Sequence, residues 1–121
     1  IGRHEDAYTY FAQSARMDLD DYHDNFYAGI HAANMAGTWQ SIVFGFAGLR
    51  LVNGVPEFKF YIPEAWNGYH FTVKIKESVL AVDVLPDGWT ITLQSGDAVN
   101  FLVEGKPYKL TEKGATCHEA L

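Results

Sequence analysis

Cysteine is nearly absent from this chain. Cys117 stands alone, so no internal disulfide can form, and a reducing cytoplasm is the simplest setting. Positive charge is scarce as well. Nine Lys and Arg against fifteen Asp and Glu give a formal charge of −6, which argues against nucleic acid or an anionic membrane as partner. The longest apolar stretch, Ile42 to Leu49, is broken by Gly45 and Gly48 and falls short of the roughly 18 residues of a membrane span. Gly-x-Ser-x-Gly elbow, P-loop and dinucleotide fingerprint are all missing. So are an initial Met and a signal-type apolar segment, and the start at Ile1 reads as that of an excised or processed piece.

What is present suits one domain with a real core: 121 residues, 48% apolar and 20% charged, a balance that excludes disorder. Aromatic residues make up 15%. They suit a packed sandwich or a sugar-binding face, and composition does not choose between the two.

The hydrophobic period changes along the chain. Ala7, Tyr8, Phe11, Ala12 and Ala15 recur at helical spacing and predict a helix over 5–16. Glu5 and Asp6 suit its positive end and Arg16 its negative end. Residues 18–29 are a polar loop. A second helix is predicted over 33–47, with Met35, Trp39, Ile42, Val43 and Phe46 on one face and Gly37, Ser41, Gly45 and Gly48 on another. Each interior Gly costs about 1 kcal/mol against Ala, so close backbone approach is the expected compensation. Two helices alone cannot cover both faces. Either they lie on a sheet, or they belong to a larger helical assembly.

After Asn53-Gly54 the period is two. Strands are predicted at 57–61, 69–76, 79–85, 88–94, 99–103 and 107–110, separated by Asn67-Gly68, Pro86-Asp87-Gly88, Gly96-Asp97 and Gly105-Lys106. Short strands at this spacing suggest an antiparallel sandwich. The segment after Lys113 has no period and reads as a loose tail.

The best place for chemistry is the acidic loop that feeds the Gly-rich helix. His31 sits at the junction. It reads either as a histidine satisfied by backbone or as an anion ligand near a helix start, where N–H groups and the dipole favour phosphate. Thr38, two turns on, would add a hydroxyl donor. Asp18, Asp20, Asp21 and Asp24 lack calcium-loop spacing, and a solvated or capping role fits them better. His23 and His31 are too far apart for a helical metal pair and no third ligand accompanies them, so no metal site is predicted. Trp66, Trp89, Tyr61 and Tyr69 are candidates for a sugar-stacking platform, although core packing is the commoner fate of such rings.

The run Ala15-Arg16-Met17-Asp18-Leu19-Asp20-Asp21-Tyr22, then Gly29-Ile30-His31-Ala32-Ala33-Asn34-Met35-Ala36-Gly37-Thr38-Trp39 and Gly45-Phe46-Ala47-Gly48-Leu49-Arg50 resembles glycoside hydrolase family 65. This family holds the maltose, trehalose, kojibiose and nigerose phosphorylases. Ile62-Pro63-Glu64-Ala65-Trp66 resembles its passage into the C-terminal domain. The resemblance covers about residues 5–110 and implies an α+β chain. Residues 1–54 would be the last helices of a catalytic (α/α)6 barrel, and residues 55–121 an antiparallel, jelly-roll-like β-sandwich.

The resemblance also implies inverting phosphorolysis of an α-glucobiose to β-glucose 1-phosphate. Inorganic phosphate is then co-substrate, and no cofactor is implied. His31 matches the family's phosphate-contacting histidine, and Thr38 follows from its closeness. A hydrolase would be expected to keep a carboxylate near this position to activate water. By the resemblance, the family's general-acid Glu would lie well upstream, and its serine-rich phosphate motif would be expected just before Ile1. The chain therefore carries no catalytic residue of its own by this reading, and is expected to be inactive alone. Its partners would be the remainder of the barrel and, through an exposed barrel face, a second copy in a homo-oligomer. The competing reading is a non-catalytic module, a carbohydrate-binding or scaffolding β-sandwich, with Trp66, Tyr69 and Trp89 as its aromatic set.

Overall fold

The computed structural model describes residues 3–20, 29 and 31–121. Helix α1 spans His4–Ala15, and helix α2 spans Ala32–Gln40 and runs into a π-helical segment, Ser41–Phe46. Eight strands follow: β1 Arg50–Val52, β2 Val55–Phe58, β3 Tyr69–Ile75, β4 Ser78–Leu85, β5 Gly88–Ser95, β6 Val99–Val103, β7 Lys106–Leu110 and β8 Thr116–Glu119. They form two four-stranded sheets, ordered β1-β2-β6-β7 and β3-β4-β5-β8. The class is α+β, as expected. Among the described residues no helix is long and apolar enough to cross a membrane.

The inward faces of the two sheets share one core. Phe58, Phe101 and Leu110 of the first sheet cluster with Leu80, Ile91 and Leu93 of the second. The two-residue period produces this, because alternate side chains point the same way. In β5, for example, Trp89, Ile91 and Leu93 are buried while Thr90, Thr92 and Gln94 are not. Lys106 of β7 and Glu119 of β8 form an ion pair between the two sheets. Each partner favours the charged form of the other, which raises the Lys106 ammonium and lowers the Glu119 carboxyl from their ordinary values.

Four expectations need correction. The tail after Lys113 is not loose, since Thr116–Glu119 pairs with β5 along its free edge. Asn53 (φ 52°) and Gly54 (φ 79°) have the paired positive φ of a tight hairpin, and they fold Arg50–Val52 back onto β2 as an additional strand. Residues 59–61 are not strand: the backbone N–H groups of Lys59 and Tyr61 donate to Ala47 O at 3.0 Å and Phe46 O at 2.8 Å, so the helical segment captures them. Finally, β2 and β6 pair in parallel. Between them the chain crosses to the other sheet and returns, and a crossover of that kind permits a parallel pair that a hairpin cannot make.

The second helix also departs from one continuous α-helix. Ser41 Oγ donates to Gly37 O at 2.8 Å, and Ala47 N–H reaches back five residues to Ile42 O at 2.8 Å. Back-bonding of this kind bends helices, and the ladder widens to π geometry here. The break divides the apolar face. Val43 and Phe46 are buried, whereas Met35 and Trp39 remain 56% and 43% exposed. An added Cβ at Gly37 or Gly45 would meet nothing within 4 Å, while one at Gly48 would lie 2.6 Å from Lys59 O. Of these three glycines, close backbone approach therefore occurs at Gly48 and not at Gly37 or Gly45.

Candidate functional site

The helices meet the sheets through an aromatic cluster. Trp66 lies 5.2 Å from Phe11 of α1, 5.0 Å from Phe46 of the π segment and 5.9 Å from Tyr69 of β3. Phe46 O accepts from the Tyr69 hydroxyl at 3.1 Å, and burial raises the Tyr69 phenol well above its ordinary range. This cluster ties α1 and the end of the π segment to β3.

A second set of contacts ties α1 to α2. Ser14 Oγ donates to Asn34 Oδ1 at 2.7 Å, and Asn34 Nδ2 donates back to Ser14 O at 2.6 Å. The end of α1 is thereby clamped to the first turn of α2. Beside this clamp sits His31, the residue that precedes α2. Its backbone N–H donates to Asp18 Oδ2 at 3.0 Å, and its Nδ1 meets Asp18 Oδ1. These hydrogen bonds hold the Asp18 carboxyl below the usual carboxylate range. An ionised carboxylate only accepts, so at neutral pH the proton of this contact belongs to Nδ1. The His31 and Asp18 side chains keep 35% and 19% exposure, so the pair is fixed by its partners yet still open at the surface. Arg16 meets Asp20 with two hydrogen bonds, at 2.6 and 2.9 Å.

Thr38 lies on the same helix, and its hydroxyl donates to Asn34 O at 3.0 Å. Its one proton is therefore directed at the backbone in this arrangement. Trp89 is 4% exposed and packs edge-on against Tyr108 at 5.1 Å. Trp66 is half-buried among the rings of Tyr8, Phe11, Phe46 and Tyr69. Both indoles line a cleft of about 920 Å³ that also receives Phe60, Tyr108, Lys106 and Glu119. A second cleft of about 1020 Å³ lies between α1, the π segment and the first sheet, with Tyr10, Phe11, Phe44 and Arg50 among its walls. His31 lines neither. Asp21, His23 and Asp24 lie outside the described residues. Among the described residues no three metal-ligating side chains gather.

Sequence reasoning missed Asp18 as the partner of His31, having grouped it with a solvated acidic cluster. The available signal was the histidine itself, because an imidazole that presents one nitrogen to a ligand usually rests the other on a carboxylate or carbonyl.

Residues 1–40 match the description "Glycosyl hydrolase family 65 central catalytic domain", and residues 49–110 match "Glycosyl hydrolase family 65, C-terminal domain". The chain belongs to glycosyl hydrolase family 65. Among its relatives is the alpha,alpha-trehalose phosphorylase of Geobacillus stearothermophilus, 38% identical over 112 residues, which cover 93% of this chain and 15% of that protein. The kojibiose phosphorylase of Caldanaerobacter subterraneus subsp. tengcongensis is also 38% identical over 112 residues, covering 91% of this chain and 14% of its own length. A solved structure described as "Putative kojibiose phosphorylase from human microbiome" superposes with a TM-score of 0.88 at 33% identity, covering all of this chain and 16% of that one. The chain thus spans about 15% of the length of the curated relatives it matches.

Proposed function

We propose that this chain is part of an α-glucobiose phosphorylase and supplies one wall of its phosphate site through His31. The observation that carries the reading is the position of His31. It lies within the stretch that matches the catalytic domain, at the head of α2, with its ring resting on Asp18. Phosphate brings its own nucleophilic oxygen. The protein therefore needs a donor cradle at this position rather than the general base of an inverting hydrolase. Phosphate attack opposite the leaving sugar would give β-glucose 1-phosphate. Thr38 belongs to the same wall and joins it by turning its hydroxyl away from Asn34 O. The trehalose and kojibiose phosphorylases among the relatives support the reaction class.

The same reading makes α1 and α2 terminal helices of an (α/α)6 barrel over residues 1–54, and the two sheets a jelly-roll-like domain over 55–121. Neither helix has a buried residue, and Tyr10 is 71% exposed. Those faces suit further barrel helices as neighbours. Against the carbohydrate-binding module, Trp89 is only 4% exposed and Trp66 packs among rings, although both border the cleft of about 920 Å³. The test is His31→Ala in a full-length phosphorylase carrying this segment. The phosphate KM should rise about tenfold or more, as expected for losing a charge-assisted hydrogen bond, with the disaccharide KM little changed. An unchanged phosphate KM removes His31 from the site.

A further inference from the structure

Asp18 offers both carboxylate oxygens to a single residue. Oδ2 accepts the backbone N–H of His31 at 3.0 Å, and Oδ1 accepts from its ring at Nδ1. Two contacts from one rigid, planar group fix the position of His31 and also the rotation of its imidazole. The reciprocal Ser14–Asn34 hydrogen bonds secure the same junction, so the segment carrying Asp18 cannot drift from the helix start that carries His31. A lone solvated carboxylate would do neither. Free neutral histidine favours no such arrangement, and the hydrogen bond made by one ring nitrogen decides which state the other presents.

We propose that Asp18 is the positioning residue for His31: it fixes the ring plane and the Nδ1–H tautomer, so that the ring meets phosphate through Nε2. This rests on the reading of His31 as a phosphate contact. With Nδ1–H directed at Asp18, one proton lies between Nε2 and a phosphate oxygen. On the nitrogen it makes His31 a donor to the anion, and on the oxygen it makes phosphate the donor. The line of contact is the same in both. Asp18 itself touches no reacting atom. Its low carboxyl range keeps it ionised, and thus an acceptor, throughout the neutral range.

Two measurements test this. The first is the ¹⁵N imidazole spectrum of the 121-residue chain at about pH 9, above the ordinary imidazole range. His31 should show the Nδ1–H tautomer, and Asp18→Asn should shift it toward Nε2–H. An Nε2–H tautomer in the unaltered chain overturns the proposal. Should Asp18→Asn lose helical ellipticity, Asp18→Glu carries the variant arm. It keeps the charge and is expected to keep the Nδ1–H tautomer, and loss of that tautomer in a folded Asp18→Glu chain counts against the proposal. The second measurement is kinetic, in a full-length phosphorylase with this segment and with inorganic phosphate as the varied substrate. Asp18→Asn should raise the phosphate KM about tenfold, leave the disaccharide KM nearly unchanged, and add nothing in a His31→Ala background. If His31→Ala raises the phosphate KM and Asp18→Asn does not, Asp18 has no positioning role and the His31 contact stands. If neither raises it while the tautomer still switches, Asp18 holds the ring and the phosphate reading fails.

Discussion

Trp66→Ala separates two roles for this indole, a sugar platform and a structural hub. Its ring contacts Phe46 at 5.0 Å, Phe11 at 5.2 Å, Tyr69 at 5.9 Å and Tyr8 at 6.1 Å. Truncating a fully buried Trp or Phe costs about 3–5 kcal/mol. Trp66 is only half-buried, so about 2–3 kcal/mol is expected here, with the aromatic pairs supplying part of it. Against a total stability of about 5–15 kcal/mol that is a large fraction. The loss should also be uneven. Phe11 and Tyr8 belong to α1 and Phe46 to the π segment, whereas the shared core of Phe58, Phe101, Leu80 and Ile91 makes no use of Trp66. Urea unfolding of Trp66→Ala followed by ellipticity at 222 nm should therefore show the helical signal lost at lower denaturant than the fluorescence change of buried Trp89. A midpoint equal to that of the unaltered chain, together with loss of oligosaccharide binding, would refute the hub and favour the platform.

Three further outcomes follow from the same geometry. Gly96→Ala places a Cβ 1.9 Å from Glu77 O at φ +93°, so it should lower Tm far more than Gly105→Ala. Gly105 has φ +79° and meets nothing within 4 Å, which leaves only the roughly 1–2 kcal/mol of left-handed strain. Phe58→Ala and Phe101→Ala, both fully enclosed, should each cost about 3–5 kcal/mol in denaturant titrations. Asp18 has a folded-state carboxyl range below its ordinary value of 3.8. Its contribution is complete above that value and is lost as pH falls through the lower folded one. The amide proton shift of His31, which reports the bond to Asp18 Oδ2, should thus titrate below pH 3.8, and a midpoint above that value contradicts the contact.

Much of the sheet was legible because strict alternation leaves little choice. Phe71 and Val73 against Thr72 and Lys74, or Trp89, Ile91 and Leu93 against their threonines, can bury one face in only one register. The strands that escaped lack that signal. All of Arg50–Val52 is exposed, and its only clue was Asn53-Gly54, whose hairpin preference was read as a mere boundary. Thr116–Glu119 has a single apolar side chain, Cys117, and exists because the edge of β5 offers unpaired backbone groups. The π segment was illegible for a different reason. It coincides with Ser41 bonding to Gly37 O and with the hydrogen bonds of Lys59 and Tyr61 to the helix end, and neither leaves a mark on hydrophobic periodicity. At the candidate site, His31 stood out by chemistry and family likeness. Asp18 did not, because a carboxylate 13 residues away looks like any other surface charge until the fold brings the two together.

The central claim, that this segment belongs to a phosphorylase, is tested most directly by following products in a full-length enzyme carrying it. Incubated with an α-glucobiose, the enzyme should release β-glucose 1-phosphate in proportion to added phosphate and almost nothing without it. Steady release of free glucose alone, at a rate indifferent to phosphate, would contradict the account.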